Sequence, residues 1–401
     1  MSAAGAALRM ARRNAWRSRG RSALIMVMIG LPVLVITTLL TYTQTASVSS
    51  REGLTAELGA ADARLVQTPK GTVLHQEPNG TSWNTADAEP GPLGPGEAEA
   101  AALLGPGTRL VPFGVGVLPL NGEHVQALRT DLRDPLTKGM LTLSEGRLPG
   151  AGEVAVTSAF GLRPGDVLRP PGAAPLTVTG VVGHPHRPSL RMVVGPDVPL
   201  AKSDPFWSPD QAGTGWLADL PKPVSWTDVS ALNAAGLYVT SRAMLADPPP
   251  GLVRGSSFDA QATVGVGAMV IMVVLETVLL AGPAFAVGLR RRRRELAQIA
   301  AQGGSAEHLR AIVLADGLVL GGAATVVATA LGLGAGLLTA QVMARWGGWI
   351  GPPEVPWAPV LGVAALGLVS GLVAALVPAV QAARQDPATV LAGRAPAVAG
   401  R

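Results

Sequence analysis

The chain has 401 residues, of which 48% are hydrophobic and only 15% charged, with a mean hydropathy of +0.34. Soluble proteins carry about a quarter charged residues, so this composition argues against a wholly soluble protein. Cysteine is absent, which excludes disulfides, thiolate metal sites and cysteine nucleophiles.

The isoelectric point of 10.2 invites a nucleic-acid reading, but the placement of charge excludes it. Residues 45–259 hold sixteen basic and twenty-one acidic side chains, whereas the rest of the chain holds sixteen basic and six acidic. Positive charge therefore flanks apolar runs, which is a topology signal and not a nucleic-acid footprint.

The first 21 residues form a basic N-terminus with Arg9, Arg12, Arg13, Arg17, Arg19 and Arg21. Residues 22–44 follow without a charge, long enough for the roughly 20 residues of a membrane-crossing helix. A cleaved signal peptide is the alternative, and Arg12-Arg13 hints at a twin-arginine leader. The apolar run is too long for a typical leader core, and no A-x-A site follows it.

Residues 45–259 are predicted to form a mixed α/β domain with two lobes. Ser47 to Leu58 reads as a helix leaving the membrane. Thr108–Leu120, Gly152–Ser158 and Leu176–Gly183 alternate or cluster β-branched residues between Gly and Pro, which predicts strands. The Gly/Pro-rich patch Glu89–Gly96 reads as a loop. The histidines His75, His124, His184 and His186 offer no third ligand at helical or hairpin spacing, so His184-Pro-His186 reads as a loop rather than half of a metal site. No G-x-S-x-G elbow supports serine catalysis. Asn79-Gly80-Thr81 matches a glycosylation sequon but reads better as an Asn-Gly turn. No enzyme site is predicted.

A second span is expected at 260–289, interrupted only by Glu276. An acidic group at that depth should face the bundle interior or be neutral. It serves either as a proton-sensitive latch or as a carboxyl hydrogen-bonded to a span hydroxyl such as Thr37, Thr38 or Thr325. A segment at 290–316 follows, opening with five arginines, Arg290 to Arg294. In it Leu296, Ile299 and Ala300 share one helical face, and Gly303-Gly304 stops the helix. The third span (317–344) is rich in small residues spaced for close helix contact. A short loop (345–354), a fourth span (355–383) and a tail (384–401) complete the chain. Pro32, Pro283 and Pro378 fall within or at the ends of spans, where neighbouring helices can satisfy the freed carbonyls.

If the spans alternate, every basic residue of the membrane portion except Arg345 lies on one side. By the positive-inside rule that side is the cytoplasm, with residues 45–259 outside and both termini inside. The expected location is a bacterial plasma membrane.

Three segments carry a family resemblance. Glu145 to Gly183 contains Gly146, Arg147, Gly152, Glu153, Gly165, Asp166 and Gly180 in the order of a "GR…GEV…GD…G" pattern. It resembles the periplasmic core domain of MacB/FtsX-like ABC transporter permeases. Arg290 to Gly317 resembles the family's cytoplasmic coupling segment through Arg293, Arg294, Glu295, Leu296, Ala297, Ile299, Gly303, Leu309 and Leu314. It departs at Gln298, Gln302 and Asp316. Ala383 to Arg394 resembles the family's C-terminal ending.

The resemblance implies a four-span permease that converts ATP hydrolysis into movement of its external domain, to export or extract a lipophilic or peptide-like substrate. The coupling segment would dock a cytoplasmic ABC ATPase dimer; without the resemblance, it is an interfacial helix with arginines at headgroups. A second permease copy or a homologous permease, and the lipid membrane, are the other implied partners. No G-x-x-x-x-G-K-[ST] occurs in the sequence, so ATP is expected on a separate chain and no cofactor on this one. Two alternatives remain: a regulator of a cell-wall hydrolase or a peptide-sensing subunit that exports nothing, and a scaffold unconnected to ATP.

Overall fold

The structure, a computed structural model, describes residues 9, 12–13, 18–48, 50–69, 73–76, 83–86, 92–201, 213–246, 267, 271–272, 275, 279 and 306–383. In chain order these form α1 (Arg19–Ala46), α2 (Ser50–Leu58), β1 (Ala63–Gln67), β2 (Val73–Gln76), β3 (Trp83–Ala86) and α3 (Glu97–Leu104). Next come β4 (Arg109–Leu120), β5 (Glu123–Arg129), β6 (Thr142–Gly146), β7 (Glu153–Thr157), β8 (Val167–Leu168), β9 (Leu176–Gly183) and β10 (Met192–Gly195). The rest are β11 (Gly213–Asp219), α4 (Trp226–Ala234), β12 (Leu237–Ser241), α5 (Arg242–Ala246), α6 (Ala306–Arg345) and α7 (Trp357–Ala383).

The chain falls into two compact units. Met1–Thr45, Phe258–Thr339 and Pro353–Arg401 make a helical unit; Ala46–Ser257 and Ala340–Pro352 make a sheet unit.

Among the described residues, three stretches are long and apolar enough to cross a membrane: Ser22–Ala46, Arg310–Arg345 and Trp357–Leu376. Of the expected second span only Gly267, Ile271, Met272, Leu275 and Leu279 are described, all helical; the remainder, with Glu276, lies outside the described residues. Helix α6 begins at Ala306, well before Gly317. From Ala306 no Gly or Pro interrupts until Gly317, and Glu307 in the first turn suits the positive end of the helix dipole. At 40 residues, α6 is about 60 Å long, twice the roughly 30 Å of a hydrocarbon core.

Helix α1 buries Ile25 and Ile29 against Leu320, Ala324, Ala374 and Ala375, and Val33 and Ile36 against Ala328 and Val363. Small residues permit this approach. A Cβ added at Gly332 would meet Thr37 Cβ at 2.8 Å, and one at Gly336 would meet Thr41 Cβ at 2.6 Å. Nearer the start of α6, a Cβ at Gly371 would lie 3.2 Å from Gly321 Cα. Gly317/Gly321, Gly332/Gly336 and Gly367/Gly371 each repeat at four residues, the spacing that lets membrane helices pack backbone to backbone. The small-residue pattern of the third span is therefore a packing surface. Inside it, the hydroxyls of Thr37, Thr38, Thr41, Thr325 and Thr329 are buried with no hydrogen-bond partner among the described residues.

The sheet unit is built on one mixed ten-stranded sheet in the order β12-β1-β11-β4-β5-β10-β7-β9-β6, with β8 also on β9. β5 with β10 and β7 with β9 are parallel pairs; the other pairs are antiparallel. The strands expected at Thr108–Leu120, Gly152–Ser158 and Leu176–Gly183 are β4, β7 and β9. The two-lobe expectation is corrected. Residues 109–115 of β4 pair with β11 and residues 114–120 with β5, so one long strand carries the sheet from one half to the other. The β4–β5 turn at Asn121-Gly122 has φ of 52° and 83°, the left-handed pair that a two-residue hairpin needs. Valines and leucines of β5, β7, β9 and β10 close one core, and β1, β11, β12 and α4 close another.

Candidate coupling site

The segment from Gly146 to Gly183 is held by a salt bridge. Arg147 donates from both terminal nitrogens to the Glu153 carboxylate, at 2.6 and 2.5 Å, and the Gly150 amide donates to Glu153 Oε2 at 2.9 Å. The guanidinium first and the amide second hold the Glu153 pKa down at about 2, and the same contact raises that of Arg147. Gly146 has φ of 77°, and a Cβ there would strike the Thr179 carbonyl. At the other turn, Asp166 Oδ2 accepts from the Arg163 amide at 2.8 Å, and the Gly165 amide donates to Val178 O at 2.8 Å. These polar groups fasten turns onto β9. The motif is a structural clasp.

The connection from β9 to β10 carries a second cluster. Pro185 and Pro188 stiffen it. Thr157 anchors its far end, with Oγ1 donating to Leu190 O at 2.5 Å and accepting from the Met192 amide at 2.9 Å. Onto this connection docks the loop that follows α6. The helix stops where Gly347 takes φ of 111° and the Gly348 amide turns back to Met343 O at 2.9 Å. The Ile350 amide then donates to His186 O at 2.9 Å, and His186 Nδ1 donates to Ile350 O at 3.1 Å. The Trp349 ring stands edge-on to His184 at 6.4 Å and lies 5.1 Å from the Arg187 guanidinium.

His184 is neutral in this arrangement. Its Nδ1 accepts from the His186 amide at 3.1 Å. Burial, then the nearby Arg187 charge, then His186 push its pKa down to about 4. The sequence alone reads His184 and His186 as a loop and gives Trp349 no role. The usable signal is a Pro-flanked His-Pro-His together with the tryptophans of the loop after α6.

Of the residues expected to dock an ATPase, Arg293, Arg294, Glu295, Leu296, Ala297, Ile299 and Gly303 all lie outside the described residues. Leu314 lies on α6.

Residues 267–387 match the family model of the FtsX-like permease C-terminal domain. This bears out the family recognised in sequence, and the chain is consistent with an FtsX/MacB-like ABC permease. FtsX-like permeases work with a cytoplasmic ABC ATPase. The matched region contains the segment expected to couple to an ATPase, together with α6, α7 and the docked loop between those helices. No curated protein matches the chain.

Proposed function

We propose that this chain is the permease subunit of an ABC transporter and passes movement driven by a separate ATPase dimer to its external domain. In this reading it crosses the plasma membrane four times with both termini in the cytoplasm, pairs with a second permease copy or a homologue, and exports or extracts a lipophilic or peptide-like substrate. The work is mechanical, and the ATPase supplies the chemistry.

The observation that carries the reading is the seat of the loop after α6. A long helix, unbroken from Ala306 to Arg345, leads within a few residues into a loop hydrogen-bonded to the β9–β10 connection. A displacement along α6 reaches that connection within five residues of the helix end.

The test is reconstitution of the full chain with the ABC ATPase of its own genome in lipid vesicles. ATPase activity should rise on assembly, and Ile350→Pro, which removes the donor to His186, should cut that stimulation while the complex still co-purifies. If no ABC ATPase associates with the wild-type chain, the reading fails. In intact cells, cysteines at Gly80 and Gly351 should react with an impermeant thiol reagent and cysteines at Gly304 and Ala397 should not.

A further inference from the structure

A groove runs along the face shared by α1 and α6. Its floor is made of small residues, Ala23, Gly30, Ala324 and Ala328, and its rims of large apolar ones such as Val27 and Leu31. Those rims are more than half exposed, at 59% and 57%. Gly30 keeps the floor low: a Cβ there would come within 3.4 Å of the Ala324 carbonyl and Ala328 Cβ. One end continues, through the shared residues Ala23 and Met26, into a second cavity of about 720 Å³ whose lining includes Arg12, Arg19 and Ser22.

We infer that this groove holds an anionic phospholipid of the arginine-side leaflet, its phosphate between Arg12 and Arg19 and one acyl chain on the small-residue floor. Charge and length both select this occupant. The polar end presents two guanidiniums, which bind phosphate bidentately and do not lose their charge. Basic pockets between membrane helices on the cytoplasmic side suit anionic headgroups. From Ala23 to Leu34 the groove is about 16 Å long at 1.5 Å per residue, the depth of one leaflet, about half of a 30 Å core. The groove is almost wholly apolar beyond Ser22, which fits an acyl chain and gives a polar substrate nothing to bind.

The assignment of the leaflet to the cytoplasmic side rests on the orientation proposed above; the site itself does not. The full chain is placed in nanodiscs of equal phosphatidylglycerol and phosphatidylcholine, extracted in mild detergent and weighed with its retained lipid by native mass spectrometry. Wild type should keep phosphatidylglycerol. Arg12→Gln with Arg19→Gln should cut that retention about tenfold, and Arg13→Gln, which leaves the lining intact, should not. Leu31→Trp should be quenched more by brominated phosphatidylglycerol than by brominated phosphatidylcholine, and the arginine double variant should erase the difference. Equal retention of the two lipids, or equal loss with Arg13→Gln, overturns the inference. A disulfide between two copies at Leu31→Cys overturns it too, giving the groove to a second chain. Retention of phosphatidylglycerol together with external labelling of the N-terminus would leave the site standing and sink the orientation.

Discussion

The Ile350 amide donates to the His186 carbonyl, and the His186 imidazole donates back to the Ile350 carbonyl. The two residues are 164 positions apart, and this reciprocal pair fixes the loop after α6 on the β9–β10 connection. Trp349 adds the apolar part of the contact. A cation–π contact at an exposed site contributes about 0.5–1 kcal/mol, and an aromatic edge contact about as much. Trp349→Ala should therefore weaken local docking by roughly 1–2 kcal/mol, a 5- to 30-fold increase in opening. Amide exchange over residues 346–352 checks this. Trp346→Ala should change nothing measurable, because Trp346 is 83% exposed.

The same contact depends on pH through His184. Its folded pKa is about 4, below the ordinary 6.5, because burial and then Arg187 and His186 disfavour the cation. A depressed folded value means that the contribution is complete above 6.5, falls as the pH drops from 6.5 towards 4, and is constant below that. Protonation also takes away the Nδ1 acceptor used by the His186 amide. A nitroxide at Gly351 should gain mobility across that window in wild type. With His184→Gln, its mobility should not vary with pH there.

The Arg147–Glu153 clasp has an acid profile set by a lower pKa. Glu153 is held near 2 from an ordinary 4.5, so its contribution is present above about 4.5 and lost as the pH falls towards 2. Glu153→Gln should lower the thermal midpoint of the full chain at neutral pH, modestly, since exposed ion pairs are weak. The gap from wild type should close as the pH falls below 4.5. ATPase stimulation should be unchanged, because the clasp's hydrogen bonds join Arg147, Gly150 and Glu153 to one another and not to the loop after α6.

Much of the architecture was legible because its signals are local. Charge-free runs mark α1, α6 and α7, and Val-rich runs between glycines mark β4, β7 and β9 close to their ends. The continuity of the sheet was not legible, since it depends on β4 offering its two halves to different partners, and pairing between distant strands leaves no local mark. The Asn121-Gly122 hairpin is a strong local signal that the strand pattern alone does not use. The docked loop was hidden for another reason: His186 and Ile350 meet only once the sheet and α6 are both formed.

The coupling segment carries a prediction from the sequence alone. Replacing Leu296 and Ile299 by Asp removes the apolar face of the expected helix, and charge reversal at Glu295 removes its acidic residue. Either change should abolish stimulation of the ATPase while membrane insertion stays normal. Stimulation and co-purification that both persist would move the docking surface elsewhere.

Glu276 and the buried threonines can be tested together. A buried hydroxyl with no partner gains nothing from being polar, so Thr37→Val and Thr325→Val should be neutral or slightly stabilising if nothing bonds to them. If the Glu276 carboxyl is their partner, each loss costs about 0.6 kcal/mol, the average for a hydrogen bond between membrane helices. The effects must then be non-additive with Glu276→Leu. A double-mutant cycle on Thr37 and Glu276, read from unfolding in mixed micelles, separates the cases: a coupling energy near zero removes the hydrogen-bond reading. Glu276→Gln divides what remains, since the amide keeps the bond and drops the charge. Activity of that variant equal to wild type from about pH 5 to 8, where a proton switch would act, would leave Glu276 a neutral packing group. If wild-type activity varies with pH over that range and the Glu276→Gln variant loses the variation, the carboxyl is a proton-sensitive latch.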